Sequence, residues 1–229
     1  MKTFLITGAS SGIGAATARR ARNAGYRVVL AARSKAKLEE LAKELGGPEY
    51  ALPVACDVTQ DGDQEELINI AVETFGSIDV VFANAGFGAT GAGTAGGDPE
   101  NWKDMILTNI YGCIMTCRAA LDEIKKSKGH FILTSSVAGR VSLKGSVYGA
   151  TKWAVTGYGR NLREEVKDDG VRVTLIEPGK VDTPFFDEGA TEALHAEDIA
   201  QAVMYAVSQP DHVNVSEIMV MPNYAKQDG

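Results

Sequence analysis

Seven short apolar-rich runs, several of them continuous rather than alternating, are interleaved along the chain with longer segments of helical periodicity. The runs are Thr3–Thr7, Arg27–Ala32, Ala51–Ala55, Ile78–Ala83, His130–Thr134, Val171–Ile176 and Val215–Val220. A strand buried on one face alternates apolar and polar residues, but "TFLIT" and "VVLAA" do not alternate. Continuous apolar strands need cover on both faces, and parallel strands obtain it from the helices that connect them. Repeated strand–helix–strand units with right-handed crossovers therefore predict an α/β fold, a doubly wound parallel sheet of about seven strands. No internal repeat or linker interrupts the pattern, so residues 1–229 are expected to form a single domain.

The helical segments carry their own punctuation. One is expected over Gly12–Ala24, opening from a glycine turn and ending before Gly25. Asp98-Pro99 offers an N-cap followed by proline at the first helical position. From Tyr148 a helix is expected to reach Asp169, with Ala154, Tyr158, Leu162 and Val166 recurring every fourth residue and Gly170 stopping it. The loop "GFGATGAGTAGGDP" (86–99) is glycine-rich and expected to be mobile.

A net charge of −7 argues against sequence-independent nucleic-acid binding, which needs a basic surface. No apolar run approaches the roughly 20 residues of a membrane span. The opening "MKTFLITGAS" enters a strand at once, leaves no room for a signal peptide and points to a cytoplasmic location. Cys113 and Cys117 have the i, i+4 spacing of a helical metal pair, but no Cys or His nearby in sequence completes a tetrahedral set. Buried thiols are expected for both and for Cys56, and His130, His195 and His212 receive no role.

"TGASSGIG" (Thr7–Gly14) directly follows the first strand and opens the first helix. In that context the glycines let the backbone turn sharply toward a pyrophosphate, which the free N–H groups of the helix N-terminus bind. Gly8, Ser10, Ser11, Gly12, Ile13 and Gly14 are the candidate residues. A Walker-type loop would carry Gly-Lys-Ser/Thr, and no lysine stands here. NAD binding by the usual device needs an acid about 20 residues on, to accept from the ribose 2′-hydroxyl. The second strand ends instead in "VVLAARSKAK", with Arg33 at that place and Lys35 and Lys37 close by. A guanidinium suits a 2′-phosphate, so NADP is expected over NAD, although NAD remains open.

"VYGATKW" (147–153) puts Tyr148 one helical turn before Lys152 among small and apolar residues. A free phenol has a pKa near 10, so proton transfer at neutral pH needs about 3 units of lowering, roughly 4 kcal/mol. An ammonium about 4 Å away supplies roughly that much at an effective dielectric of 20, but only about 1 kcal/mol in bulk water. A partly enclosed Tyr–Lys pair can therefore act as an acid/base; a solvated one cannot. The small residues Gly149, Ala150 and Thr151 leave room for something flat against the helix.

Taken in order, "TGASSGIG", "CDVT" (56–59), "NAG" (84–86), Asn109, "SSVAG" (135–139), "YGATK" (148–152) and "PGKVDTP" (178–184) resemble the short-chain dehydrogenase/reductase family over nearly the whole chain. The resemblance implies a Rossmann-like fold and hydride transfer between a nicotinamide and a small-molecule carbonyl or secondary alcohol. Ser136, Tyr148, Lys152 and Asn109 would be the catalytic residues. Asp57 and Val58 would meet the adenine; Asn84, Ala85 and Gly86 would line the cofactor; and Pro178, Gly179, Val181 and Thr183 would hold its nicotinamide end. Lys152 would also hold the nicotinamide ribose, and Asn109 would keep a helix open for a proton relay. Neighbouring residues near a strand end face opposite ways, so only one of Ser135 and Ser136 can face the pocket. Ser136 opens the family's "SVAG" context, and Ser135 remains the alternative. The family also commonly assembles as dimers and tetramers through helices corresponding to Ile110–Lys125 and Tyr148–Asp169. Trp153 and Tyr158 on the latter fit either an interface or the core. The segment between Thr183 and the helix near Glu197, which would form a lid, is short. Arg140, Lys144 and Lys180 lie where one or more could pair with a substrate carboxylate, or all could be solvated.

Overall fold

The structure, a computed structural model, describes residues 1–91, 93–183 and 193–223. Its centre is a seven-stranded parallel sheet, formed by β1 (Thr3–Thr7), β2 (Arg27–Ala32), β3 (Ala51–Ala55), β4 (Val80–Ala83), β5 (His130–Thr134), β6 (Arg172–Pro178) and β9 (Glu217–Val220) in the order β3-β2-β1-β4-β5-β6-β9. The helices α1 (Gly12–Asn23), α2 (Lys35–Glu44) and α8 (Ala196–Val207) cover one face. On the other lie α3 (Asp61–Phe75), α6 (Cys113–Ser127) and α7 (Val147–Val166).

The unbroken apolar runs have the double burial that their pattern requires. In β1, Phe4 and Ile6 pack beneath α1 and α2, while Leu5 packs against the α3 and α6 side. The same alternation divides Val80 and Phe82 from Val81 and Ala83 in β4. Every one of these side chains is at most 4% exposed, so each strand loses its apolar surface to water on both faces.

Several boundaries differ from the sequence expectation. β4 starts at Val80 rather than Ile78, because the Asp79 carboxylate takes the Thr3 N–H at 2.8 Å and closes the strand entry with a side chain. β9 starts at Glu217 rather than Val215, where Thr174 Oγ1 and the Asn214 amide link the chains instead of a ladder. β6 runs on to Pro178, since Glu177 and Pro178 still pair with Met219 and Val220. A small second sheet, β7 (Val181–Asp182) with β8 (Leu194–His195), has no signal in the apolar runs. The loop 86–99 holds one helical turn, α4 (Gly93–Gly96), and Asp98 caps α5 (Pro99–Ile106) by accepting from Glu100 N–H. Most of the expected lid segment lies outside the described residues. No helix among the described residues is long and apolar enough to cross a membrane.

The α5–α6 rod is not α-helical throughout. Its backbone widens into a π-helical stretch, Leu107–Gly112, with Asn109 inside it. Such a bulge leaves carbonyls that need partners. Buried Gln64, from α3, donates to the Gly112 carbonyl at 3.0 Å and to the Val58 carbonyl at 2.9 Å, tying the bulge to the β3–α3 turn.

Candidate active site

A cavity of about 660 Å³ opens beyond the carboxyl ends of the strands and runs from the β2 end to the β6 end. The sheet order reverses between β1 and β4, and ligands of open parallel sheets collect at that switch point. Gly8 has φ +66, and a Cβ there would stand 2.9 Å from Ala85 Cα. At Gly14 a Cβ would meet the Gly8 carbonyl oxygen at 2.3 Å. The two glycines let the turn fold back on itself so that α1 starts beneath it. Ser11, at the N-cap, makes no side-chain cap bond, and no acid stands in the first turn of α1. The helix therefore presents its positive end and free N–H groups to the cavity, which is what phosphate binding needs.

At the far end, Arg33 is exposed, lines the cavity and makes no ion pair among the described residues. Lys35 lies 3.9 Å from Glu39 on the solvated face of α2. Asp57 Oδ1 accepts from the backbone N–H and hydroxyl of Thr59, which fixes the turn that carries Asp57 and Val58 into the cavity wall. Cys56 also lines this end, and burial pushes its thiol up to about 12, so it stays protonated. These residues fit a dinucleotide: an uncovered helix start for its pyrophosphate and a free cation for a further phosphate.

The strand ends between these two features are knitted by side chains. Thr7 Oγ1 accepts the backbone N–H groups of Asn84 and Ala85, at 3.0 and 3.2 Å. The Asn84 amide donates to the Thr7 carbonyl and its oxygen accepts from Thr134 Oγ1. Asn84, Ala85 and Gly86 line the cavity as expected, yet the Asn84 side chain itself is spent on bridging β1 and β5.

Ser136, Tyr148 and Lys152 converge on the cavity wall. Ser146 caps α7 by accepting from Gly149 N–H at 2.9 Å, which sets Tyr148 in its first turn. Ser136 caps the short 3-10 turn Val137–Gly139, accepting from Ala138 N–H and donating to the Pro178 carbonyl at 3.2 Å. Its hydroxyl also hydrogen-bonds Tyr148. Ser135 turns the other way: its hydroxyl bonds the Lys152 carbonyl at 3.1 Å and Thr156 Oγ1 at 2.7 Å. The geometry separates the two serines that sequence left as alternatives, and Ser136 is the one at the tyrosine.

Lys152 is 5% exposed, donates to the Thr134 carbonyl at 2.9 Å and stands 5.7 Å from the Tyr148 ring centroid. Burial pulls its ammonium down to about 8, against a smaller raising influence of Cys113. Burial raises the Tyr148 phenol, and the Ser136 hydrogen bond lowers it. The Lys152 ammonium is held beside the Tyr148 ring by the Thr134 carbonyl.

Asn109 lies behind the wall rather than on it. Its oxygen accepts Phe87 N–H at 3.0 Å, and its amide donates to the Phe87 carbonyl at 2.9 Å and to Thr151 Oγ1 at 3.2 Å. The π bulge thus holds the β4 loop against α7. Gly14 is likewise structural support, while Ser10, Gly12, Ile13, Gly179, Val181 and Thr183 line the cavity with the other expected residues. Phe87, Thr108, Thr134 and Ser34 line it too and carry no motif. Of the three cations beyond the strand ends, Arg140 is taken: it pairs with Glu177 at 2.7 Å and with Glu217, which removes it as a carboxylate receptor. Cys113 and Cys117 are both buried, and no group of metal ligands occurs among the described residues.

A parallel sheet with a glycine turn at its switch point and a Ser–Tyr–Lys cluster beside it defines a Rossmann-like nucleotide-binding fold. The short chain dehydrogenase pattern matches residues 2–193, and the chain belongs to that family of oxidoreductases. An uncharacterized oxidoreductase of Staphylococcus saprophyticus is 41% identical over 228 residues, 96% of this chain and 97% of its own. Among solved structures, the alcohol dehydrogenase of the archaeon Thermococcus sibiricus, complexed with 5-hydroxy-NADP, superposes with a TM-score of 0.88 at 34% identity, covering 96% of each chain. A 3-ketoacyl-(acyl-carrier-protein) reductase of Brucella melitensis, complexed with NADH, superposes with a TM-score of 0.88 at 28% identity over 96% of each chain.

Proposed function

We propose that the protein is an NADP-dependent oxidoreductase acting on a small-molecule carbonyl or secondary alcohol, with Tyr148 as the acid/base. The observation that carries the reading is the Ser136–Tyr148–Lys152 cluster on the wall of a cavity whose other end starts a helix without a cap. The uncovered start of α1 would hold the pyrophosphate, Arg33 the 2′-phosphate, and Lys152 the nicotinamide ribose. The nicotinamide, when bound, supplies or accepts the hydride. Tyr148 gives its proton to the carbonyl oxygen in reduction and takes it back in oxidation. Ser136 donates to the same oxygen and polarises the carbonyl. Asn109 holds the helix open beside Lys152, where a water-borne relay can return the proton. A regulator that merely binds the dinucleotide has no use for this cluster, which weighs against that reading.

NADPH oxidation against a panel of aldehydes, ketones and 3-oxo acids tests the reaction, with measurable turnover of at least one carbonyl class expected. Absence of turnover across the panel while NADPH binds would favour the regulator. The cofactor follows from Arg33: NADPH is preferred over NADH, and Arg33→Asp reduces that preference by about 10- to 100-fold, the worth of charge-assisted bonds to one phosphate. Tighter NADH binding by the parent protein in fluorescence titration refutes the assignment.

The same reading includes assembly as a homodimer or homotetramer. Tyr158 packs against the core, but Trp153 on α7 is 49% exposed, and Ile106, Leu107 and Tyr111 are exposed along the neighbouring rod. Exposed aromatic residues of this kind are enriched in interfaces. Light scattering at micromolar concentration is expected to give a multiple of the chain mass, and a monomer mass counts against it.

A further inference from the structure

The turn that carries Ser136 is anchored to β6 at both ends. At its start, the Ser136 hydroxyl donates to the Pro178 carbonyl. Between the ends, Gly139 N–H bonds the Ser136 carbonyl and Arg140 N–H bonds the Val137 carbonyl, both at 2.9 Å, so the turn is stiff. At its finish, Arg140 Nε donates to Glu177 Oε1 at 2.7 Å. Glu177 directly precedes Pro178, and its side chain is only 2% exposed. A carboxylate that deep requires a cation, and Arg140 is the one that reaches it.

The same guanidinium also holds Glu217 on β9 through Nη2. Glu217 in turn accepts from Arg160 Nε at 2.8 Å, on the helix that bears Tyr148 and Lys152. One planar fork therefore binds two carboxylates on adjacent strands, and the second carboxylate is shared with α7. A lysine, a point charge, does not reproduce that geometry. The turn of Ser136 and the helix of Tyr148 are both referenced to one ion network.

From this arrangement we propose that Arg140 is a positioning residue, its pair with Glu177 holding the Ser136 hydroxyl in line with Tyr148. The serine has a single proton to donate, and the Pro178 carbonyl and the Tyr148 oxygen compete for it. A small displacement decides whether it serves that carbonyl or a substrate oxygen. The inference rests on the reading of Ser136 as the group that polarises the carbonyl.

A double-mutant cycle on the full chain tests it. Arg140→Met with Glu177→Gln removes both charges together, so no buried carboxylate is left unpaired, and Arg140→Lys keeps the charge without the fork. Either change is expected to lower kcat about 10- to 100-fold while NADPH affinity, read by fluorescence, stays within about twofold. In a Ser136→Ala background the same changes are expected to cost less than about threefold, because the group they position is gone. Equal losses in both backgrounds, or lost NADPH affinity in place of lost turnover, overturn the positioning role and leave the proposed reaction standing. Parent-like turnover of Ser136→Ala alone overturns the role of Ser136 and this inference with it. If the double change does not fold, as judged by melting, the Arg140→Lys cycle gives the same decision.

Discussion

Replacing Tyr148 with phenylalanine is expected to lower turnover by about two to four orders of magnitude, the usual worth of a general acid, and to leave fold and NADPH affinity in place. The reason lies in how little else depends on the hydroxyl. Ser146 caps α7 without it, and the Lys152 ammonium keeps its bond to the Thr134 carbonyl, so no buried charge is orphaned. Ser136 keeps its bonds to Pro178 and Ala138. The variant therefore isolates proton transfer from scaffolding. Three measurements on one preparation check it: thermal melting, NADPH titration by fluorescence, and kcat on whichever carbonyl the panel selects. A folded, cofactor-binding Tyr148→Phe protein with near-parent turnover would falsify the acid/base assignment.

How far the sequence reaches is visible in individual residues. The strands were legible because burial on both faces leaves a one-dimensional trace, the unbroken apolar run, and most bounds agree to the residue. Tyr148, Lys152 and the glycine turn were legible because each signal is a short contiguous pattern of residue types and spacing. Ser135 and Ser136 could not be separated, since what distinguishes them is tertiary: Lys152 and Thr156 for one, Pro178 and Tyr148 for the other. Arg140 read as a free cation because its carboxylates lie 37 and 77 residues away. Thr134 reaches the cavity through a strand end that looks like any other. The π-helical form of the stretch around Asn109 has no local signal, as it depends on Gln64 and Phe87 from distant segments.

Lys152→Met is expected to make the enzyme slower and the cofactor-free protein more stable, and both effects follow from the same buried ammonium. The ammonium stands 5.7 Å from the ring centroid; a unit charge about 5 Å from a developing phenolate is worth about 3 kcal/mol at an effective dielectric near 20, so kcat/KM at pH 7 is expected to fall about 10²-fold or more. Part of that loss returns as pH rises, because hydroxide then favours the phenolate that the ammonium no longer supports; the oxidation direction displays this as a shift of its pH limb to higher pH. For stability the sign is opposite. The folded chain holds Lys152 at about 8, below the ordinary lysine value, so between the two the unfolded chain binds more protons and stability rises with pH. The contribution is complete above the unfolded value and lost as pH falls through 8, leaving a penalty at pH 7 of about 3 kcal/mol. Methionine removes that penalty and its slope, at the cost of about 1 kcal/mol for the unpaired Thr134 carbonyl. Denaturant unfolding at pH 7 and pH 10 is therefore expected to show the variant ahead of the parent at pH 7 and level with or behind it at pH 10. A variant with the parent's pH slope, or with the parent's turnover, would remove Lys152 from the charged role assigned to it.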